Sequence, residues 1–275
     1  MIIWIASYPK SGNTWIRSFL SYYLYADGER FDFKLIKKIR QFPGDSELNF
    51  LRKKNIDKKF KFLDLVKHWD FFQTEIAKNK PVLLKTHNAL VTIQNHSFAS
   101  LKNTLGLIYV IRDPRDVVVS YSHHMAKSFE DTFGAMKIDS MEKTEDKLNK
   151  TMLTTWSNHY VSWKAFPIDK LFLRYEDLVK DPEKEFTKVI QYLNKICKIE
   201  FNKKKILQSI EATNFENLQK LEEKNSFDEN PKMTKDQKFF RKGTTNQWRE
   251  LLSSDLINKI QNEFGQIMKE NGYKF

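Results

Sequence analysis

Residues 2 to 15 constrain this chain more than any other stretch. Ile2-Ile3-Trp4-Ile5-Ala6-Ser7 is a continuous apolar run, the pattern of a strand buried on both faces. It breaks at Tyr8-Pro9, passes Lys10, Ser11 and Gly12, and enters a helical rhythm at Trp15-Ile16, Phe19-Leu20 and Tyr23-Leu24. A buried strand feeding a tight turn into a helix leaves the first helical amides without intrahelical partners, at the positive end of the helix dipole. That is an anion site. Lys10 adds a full charge, Gly12 lets the backbone approach a ligand, and Ser11, Asn13 and Thr14 are short polar side chains at the turn. The common P-loop is excluded, because its lysine follows the second glycine and this turn has no earlier glycine.

The same strand-then-helix grammar recurs. Pro81 to Leu84, Leu105 to Ile111 and Leu171 to Tyr175 are apolar strand candidates, and helical stretches separate them. The chain therefore reads as α/β, a central parallel β-sheet flanked by helices, in one domain over 1–275. Ligands of such sheets bind past the carboxyl ends of strands. Lys10, Lys85-Thr86-His87 and Arg112 all stand there. Asp113-Pro114 caps the helix after the clearest strand, Ser120 lies two turns into that helix, and Arg115 and Asp116 read as structural pairs. Phe60, Leu63, Val66 and Trp69 to Phe72 are expected in the core, residues 88–104 in a partly helical connection, and 126–150 in a polar lid. Trp156, His159, Tyr160 and Trp163 form a core stripe, Asp181-Pro182-Glu183 opens a helix, and Asp255 to Lys269 is a closing amphipathic helix. Asp27-Gly28 is expected to end the first helix, and Asn225 to Lys238 is a polar linker.

Tyr8 to Trp15 resembles the 5′-phosphosulfate loop of the cytosolic-type sulfotransferases, Tyr-Pro-Lys-Ser-Gly-Thr-Thr-Trp, with Asn13 for one threonine. The resemblance covers about Ile3 to Trp248 and implies a P-loop-like sulfotransferase fold. It implies 3′-phosphoadenosine 5′-phosphosulfate as co-substrate, 3′-phosphoadenosine 5′-phosphate as product, and no metal. Carried onto this chain, it makes His87 the general base and places Lys85 beside the sulfuryl group. Lys10, Ser11, Gly12, Asn13, Thr14 and Trp15 form the loop, with Trp15 against adenine. Arg112 and Ser120 read the 3′-phosphate, Tyr175 contacts the nucleotide, and Thr213 and Phe215 flank adenine. Arg241, Lys242 and Gly243 form the phosphate clamp. Where the family continues Gly-Asp-Trp, this chain has Asn246-Gln247-Trp248, which leaves the loop conformation open. The family's dimer motif is not recognisable, so no oligomeric state is implied.

The implied reaction is in-line transfer of a sulfuryl group to the hydroxyl of a small molecule such as an alcohol or phenol, with sterols, lipids, sugars and amines also open. Segments 29–80 and 122–155 would cover that acceptor. A net charge of +12 suits anionic ligands. Its clusters at Lys34 to Lys38, Arg52 to Lys61 and Lys203 to Lys205 read as solvated faces, and no nucleic-acid partner is expected. Two rivals remain. A P-loop-type nucleotide kinase would need a Walker lysine and an acidic metal ligand. A non-enzymatic polyanion binder rests on the charge alone. Cys197 is the single cysteine, which excludes an internal disulfide and suits a reducing compartment. No run approaches a membrane span and the N-terminal run is too short for a signal peptide, so a cytoplasmic location is expected. His123-His124 with His159 completes no metal site.

Overall fold

A computed structural model describes all of the chain except residues 27, 29, 55–60, 79, 140, 144–148, 226, 228 and 230–237. The strands are β1 (Ile2–Ser7), β2 (Val82–Thr86), β3 (Thr92–Ile93), β4 (His96–Ser97), β5 (Thr104–Ile111), β6 (Met141–Lys143), β7 (Asn149–Met152) and β8 (Lys170–Arg174). The first half of the chain supplies helices α1 (Asn13–Tyr25), α2 (Phe33–Ile36), α3 (Asp45–Lys54), α4 (Phe62–Lys67), α5 (Trp69–Ala77), α6 (Pro114–Met125) and α7 (Phe129–Met136). The second half supplies α8 (Trp156–Ala165), α9 (Tyr175–Lys180), α10 (Pro182–Cys197), α11 (Lys203–Ala212), α12 (Phe215–Lys224), α13 (Trp248–Leu251) and α14 (Ser254–Glu270).

The central sheet has the order β2-β1-β5-β8 and every pair is parallel. Trp4 sits level with Leu84 on one side and Leu107 on the other. Successive side chains of a strand point to opposite faces, so β1 feeds two cores. Ile2, Trp4 and Ala6 join Trp69, Val118, Trp163 and Phe264 on one face. Ile3 and Ile5 join Phe19, Leu20, Phe186, Val189 and Ile190 on the other. Trp4 is fully buried against the rings of Phe42, Phe98 and Trp163 and donates its indole N–H to Thr104 Oγ1 at 3.1 Å. Truncation there would cost about 3–5 kcal/mol. Because all four strands run the same way, their C-terminal ends deliver Lys10, His87, Arg112 and Tyr175 to one edge.

Capping chemistry sets the helix starts that matter for the site. Asp113 accepts the amide of Arg115 and opens α6, and Asp181 accepts the amide of Lys184 and opens α10. Arg115 is paired with Asp113 at 2.7 Å and lies over the Trp248 ring, a structural pair as expected.

Several expectations are corrected. Residues 88–104 hold no helix but a small hairpin, β3 with β4, because Gln94 and Asn95 both adopt positive φ in a two-residue turn. Leu63 and Phe71 are exposed. The short α4 turns Leu65 and Val66 inward, and α5 spends its buried side on Trp69, Phe72 and Gln73. Asp70 is exposed as well, and Phe60 lies outside the described residues. Residues 126–150 are not purely a polar loop, since α7 buries Thr132, Phe133 and Met136. The strand expected through Tyr175 stops at Arg174, and Tyr175 begins α9. The first helix ends at Tyr25, with Gly28 at φ 87 beyond it and Asp27 outside the described residues. Most of 225–238 lies outside them too. No helix among the described residues is long and apolar enough to cross a membrane.

Candidate functional site

The turn after β1 is tightly specified. Lys10 holds φ 64 and Gly12 φ 107, and the amides of α1 begin at Asn13. A Cβ on Gly12 would stand 2.6 Å from the Tyr175 ring, so the glycine is required by both conformation and space. Arg112 ties this turn to a second loop. It donates to Lys10 O at 3.2 Å and to Thr244 O at 3.0 Å, and its guanidinium lies over the Tyr175 ring. Tyr175 in turn donates its hydroxyl to Gly243 O at 2.8 Å.

Around these groups lies a cavity of about 1000 Å³. Lys10, Gly12, Asn13, Thr14, Trp15, Lys85 and His87 line it from the first two strand ends. Arg112, Ser120, Tyr175, Phe215, Arg241, Lys242 and Gly243 line it from the rest of the chain. Of the residues singled out in the sequence, Ser11 and Thr213 do not line it. Ser11 is buried, and its hydroxyl has no partner among the described residues. Thr213 is buried and donates to Ser209 O at 2.6 Å, within its own helix end.

Asn13 departs from the sequence reading. Its side chain is buried, and Nδ2 donates to Ile5 O at 3.0 Å and Ser7 Oγ at 3.3 Å. Both amide hydrogens are spent on β1, so Asn13 has only its backbone N–H left to offer an anion.

His87 is oriented from two sides. A carbonyl only accepts, so the 2.8 Å contact of Nδ1 with Ser7 O makes Nδ1 the protonated nitrogen and leaves the lone pair on Nε2. The His87 carbonyl accepts from His159 Nε2 at 3.1 Å, and the Tyr109 hydroxyl donates to His159 Nδ1 at 2.8 Å. Burial, with Lys85 adding to it, keeps the His87 imidazolium far less favourable than usual, so the ring is neutral at pH 7. Burial also lowers His159, to about 4.

Lys10 Nζ lies 3.9 Å above the Phe239 ring. Burial, then Arg112 and Lys85, pull its pKa down to about 7, against the opposing charges of Glu229 and Glu222. Lys85 Nζ meets Glu229 Oε2 at 3.0 Å, and Glu229 Oε1 meets Arg17 at 2.6 Å. Burial alone would raise the Glu229 carboxyl, but Arg17 and Lys85 together hold it below the usual carboxylate range. Arg17 is itself anchored to the carbonyls of Ile39 and Ile36. Neither Arg17 nor Glu229 was singled out from the sequence. Arg17 had a signal, being the one charged residue in α1. Glu229 had none.

The loop after Gly243 is settled by substitution. Asn246 takes φ 62, a conformation asparagine tolerates better than most residues. Its amide and that of Trp248 both donate to the Asp116 carboxylate, at 2.7 and 3.2 Å. Gln247 accepts from Arg241 at 2.6 Å and donates to Thr244 O at 3.0 Å. A buried charge pattern of this kind, with donors converging on one end of the cavity, can hold a polyanionic ligand and carry out chemistry on it.

Comparison with known proteins agrees. The sulfotransferase domain family matches residues 2–272. Sulfotransferase 1E1 of Homo sapiens is 28% identical over 280 residues, covering 98% of this chain and 85% of the relative. Amine sulfotransferase of Oryctolagus cuniculus is 24% identical, covering 99% and 82%. Among solved structures, mouse sulfotransferase SULT7A1 complexed with PAP aligns with TM-score 0.60 at 18% identity, over 98% of this chain and 84% of that one. Retinol dehydratase in complex with androsterone and inactive cofactor PAP aligns with TM-score 0.59 at 19% identity, over 100% and 82%.

Proposed function

The chain belongs to the sulfotransferase domain family, and from that premise we propose that it moves a sulfuryl group from 3′-phosphoadenosine 5′-phosphosulfate to the hydroxyl of a small molecule. The observation that carries the reading is His87. Its Nδ1–H is spent on Ser7 O, its Nε2 lone pair is left over, and it shares the cavity with Lys10 and Lys85. We read residues 1–275 as one such domain.

The residues present fit that donor. Ser11 Oγ and Arg112 Nε are buried polar atoms with no partner among the described residues. The amides that open α1 follow directly on Gly12, where a Cβ would run into the Tyr175 ring. Cations line the wall from Lys10 to Lys242. The donor supplies the sulfuryl group and a nucleotide leaving group. In this reading Arg112, Ser120, Arg241 and Lys242 hold the 3′-phosphate, while Trp15, Tyr175 and Phe215 bracket the base and sugar. The Trp15 indole already packs edge-on to Tyr175 and Phe186. Lys10 and the α1 amides carry charge that grows on the 5′ side as the bond to sulfur breaks. His87 Nε2 takes the proton of the acceptor hydroxyl as its oxygen attacks, and Lys85 steadies the sulfuryl oxygens.

The acceptor would enter on the side where Arg40, Gln41, Gly44 and Ser46 from segment 29–80 and His124 from segment 122–155 join the cavity wall. Retinol dehydratase holds androsterone, an alcohol, and the rabbit relative is named for amines. A neutral imidazole base beside two lysines suits a hydroxyl, whose proton must be removed during attack.

Thermal denaturation with 3′,5′-bisphosphoadenosine, 5′-AMP and ATP with magnesium tests this. Stabilisation should be largest with the 3′-phosphorylated nucleotide and need no metal. A larger shift with ATP and magnesium would favour the kinase reading instead. Equal, steeply salt-dependent binding of any polyanion would favour a non-enzymatic binder.

A further inference from the structure

The N-terminal arm of the loop that carries Arg241 and Lys242, from Phe239 to Arg241, is bonded through its backbone to one helix, while Thr244 O and Gly243 O beyond it meet Arg112 and Tyr175. Phe215, Gln219 and Glu222 stand at i, i+4 and i+7 of α12 and so share a face. Phe215 packs under Gly243 so closely that a Cβ there would stand 2.3 Å from its ring. Gln219 Nε2 donates to Phe240 O at 2.9 Å and to Arg241 O at 3.3 Å. Glu222 accepts the amide of Phe239 at 2.6 Å on one oxygen and the amide of Phe240 at 3.0 Å on the other. The loop backbone is thus zipped to side chains of α12, in the way an edge strand would pair with a neighbour. Two charge-assisted bonds from one carboxylate are the strongest part of that zip.

What hangs from the zip is the polar end of the cavity. Phe239 lies over Lys10, Phe240 is buried among Ile36, Leu218 and Phe227, and Arg241 reaches Gln247. Taking the nucleotide site as read above, we propose that Glu222 is a positioning residue for the donor, a latch that holds Arg241 and Lys242 where they read its 3′-phosphate. A loop held by few bonds opens easily, and ordering it at the moment of binding costs affinity. The latch removes that cost for one part of the ligand only. Glu222 touches backbone amides of the clamp and also lends negative charge to Lys10; at pH 5.5, where Lys10 stays protonated, its loss should therefore be felt through the 3′-phosphate and not through the adenosine 5′-phosphate.

The test measures the affinity of the full chain for 3′,5′-bisphosphoadenosine and for 5′-AMP by calorimetry at pH 5.5, which keeps Lys10 protonated, in wild type, Glu222→Ala and Glu222→Gln. The wild type should prefer the bisphosphate. Glu222→Ala should lose about ten- to a hundredfold in bisphosphate affinity, the usual scale for hydrogen bonds to a charged group, with 5′-AMP affinity changed less than about twofold. Glu222→Gln keeps one acceptor oxygen but turns an NH2 toward an amide, and should lose an intermediate amount. Turnover at saturating donor and the same low pH should stay within about threefold, with the effect in KM for the donor. If Glu222→Ala does not fold, Gln219→Ala removes the two carbonyl contacts and should show the same selective loss, smaller in size. Equal losses for both nucleotides, or no loss for the bisphosphate, would overturn the latch alone. A wild type with no preference for the bisphosphate would overturn the donor reading and the latch with it.

Discussion

Lys10, Lys85 and His87 stand at or near the ends of strands whose ladders pair β1 on both sides from Ile3 to Ala6, whereas Arg241, Lys242 and Gly243 sit on a loop held by side chains, three from α12 and the Tyr175 hydroxyl on Gly243 O. The first wall is rigid because each strand end is fixed by its ladder and by two cores that share β1. The second is a loop, and its geometry depends on contacts that can be removed one at a time. The same division suits the work assigned to each. Proton transfer and charge stabilisation need groups held to a fraction of an ångström. A group that grips and releases a nucleotide has to let go after each turnover.

The largest expected effect falls on the rigid wall. His87→Ala should lower turnover by about two to four decades, the common scale for a general base, while nucleotide affinity changes little. Single-turnover rates and bisphosphate affinity, measured side by side, check this. Full turnover in the variant would remove the base from His87, and a matching collapse in affinity would show that the two walls do not divide the work.

Next is the pH dependence of Lys10. Its pKa is lowered to about 7, and in the proposed reaction the protonated form is the one that stabilises the leaving group. In the free enzyme, kcat/KM should therefore hold below pH 7 and fall by about tenfold per pH unit well above it. In the proposed role His87 works as the neutral form, and its pKa lies well below the ordinary value, so no acid limb is expected near pH 6.5. Lys10→Ala should lower turnover and abolish the alkaline limb. A limb that survives in the variant would belong to another group.

The smallest effect compares two glycines. Gly12 (φ 107) meets Tyr175 and Gly243 (φ 66) meets Phe215, each with no room for a Cβ. Alanine at either position carries backbone strain of about 1–3 kcal/mol. At Gly12, wedged between β1 and α1, the strain should appear in full as a lower melting temperature. At Gly243 the loop can shift, so the melting temperature should fall less while bisphosphate affinity drops. The reverse order would mean that the clamp is the stiffer wall.

Much of this was legible in the residues. The strand ends could be read because apolar runs mark buried strands and a parallel sheet sends their ends to one edge. Lys10, His87 and Arg112 follow from that, and the family resemblance adds roles. Leu63 and Phe71 were misread because a stretch rich in large apolar residues does not say which side of a short helix is covered. Residues 88–104 were misread because their turn rests on two residues at positive φ, Gln94 and Asn95, that carry no glycine to announce it.

The sequence by itself determined the turn from Tyr8 to Trp15, the four strands and the groups at their ends, because those depend on local pattern and on the direction of a parallel sheet. Only the tertiary structure decided which way Asn13 turns, that Glu229 lies between Arg17 and Lys85, and that Glu222 accepts the amides of Phe239 and Phe240. Glu229 is 212 residues from Arg17, and Glu222 meets amides 17 and 18 residues further on. Contacts across such separations are set by how the cores pack, and a carboxylate has the same appearance in the chain whether it faces water or closes a site.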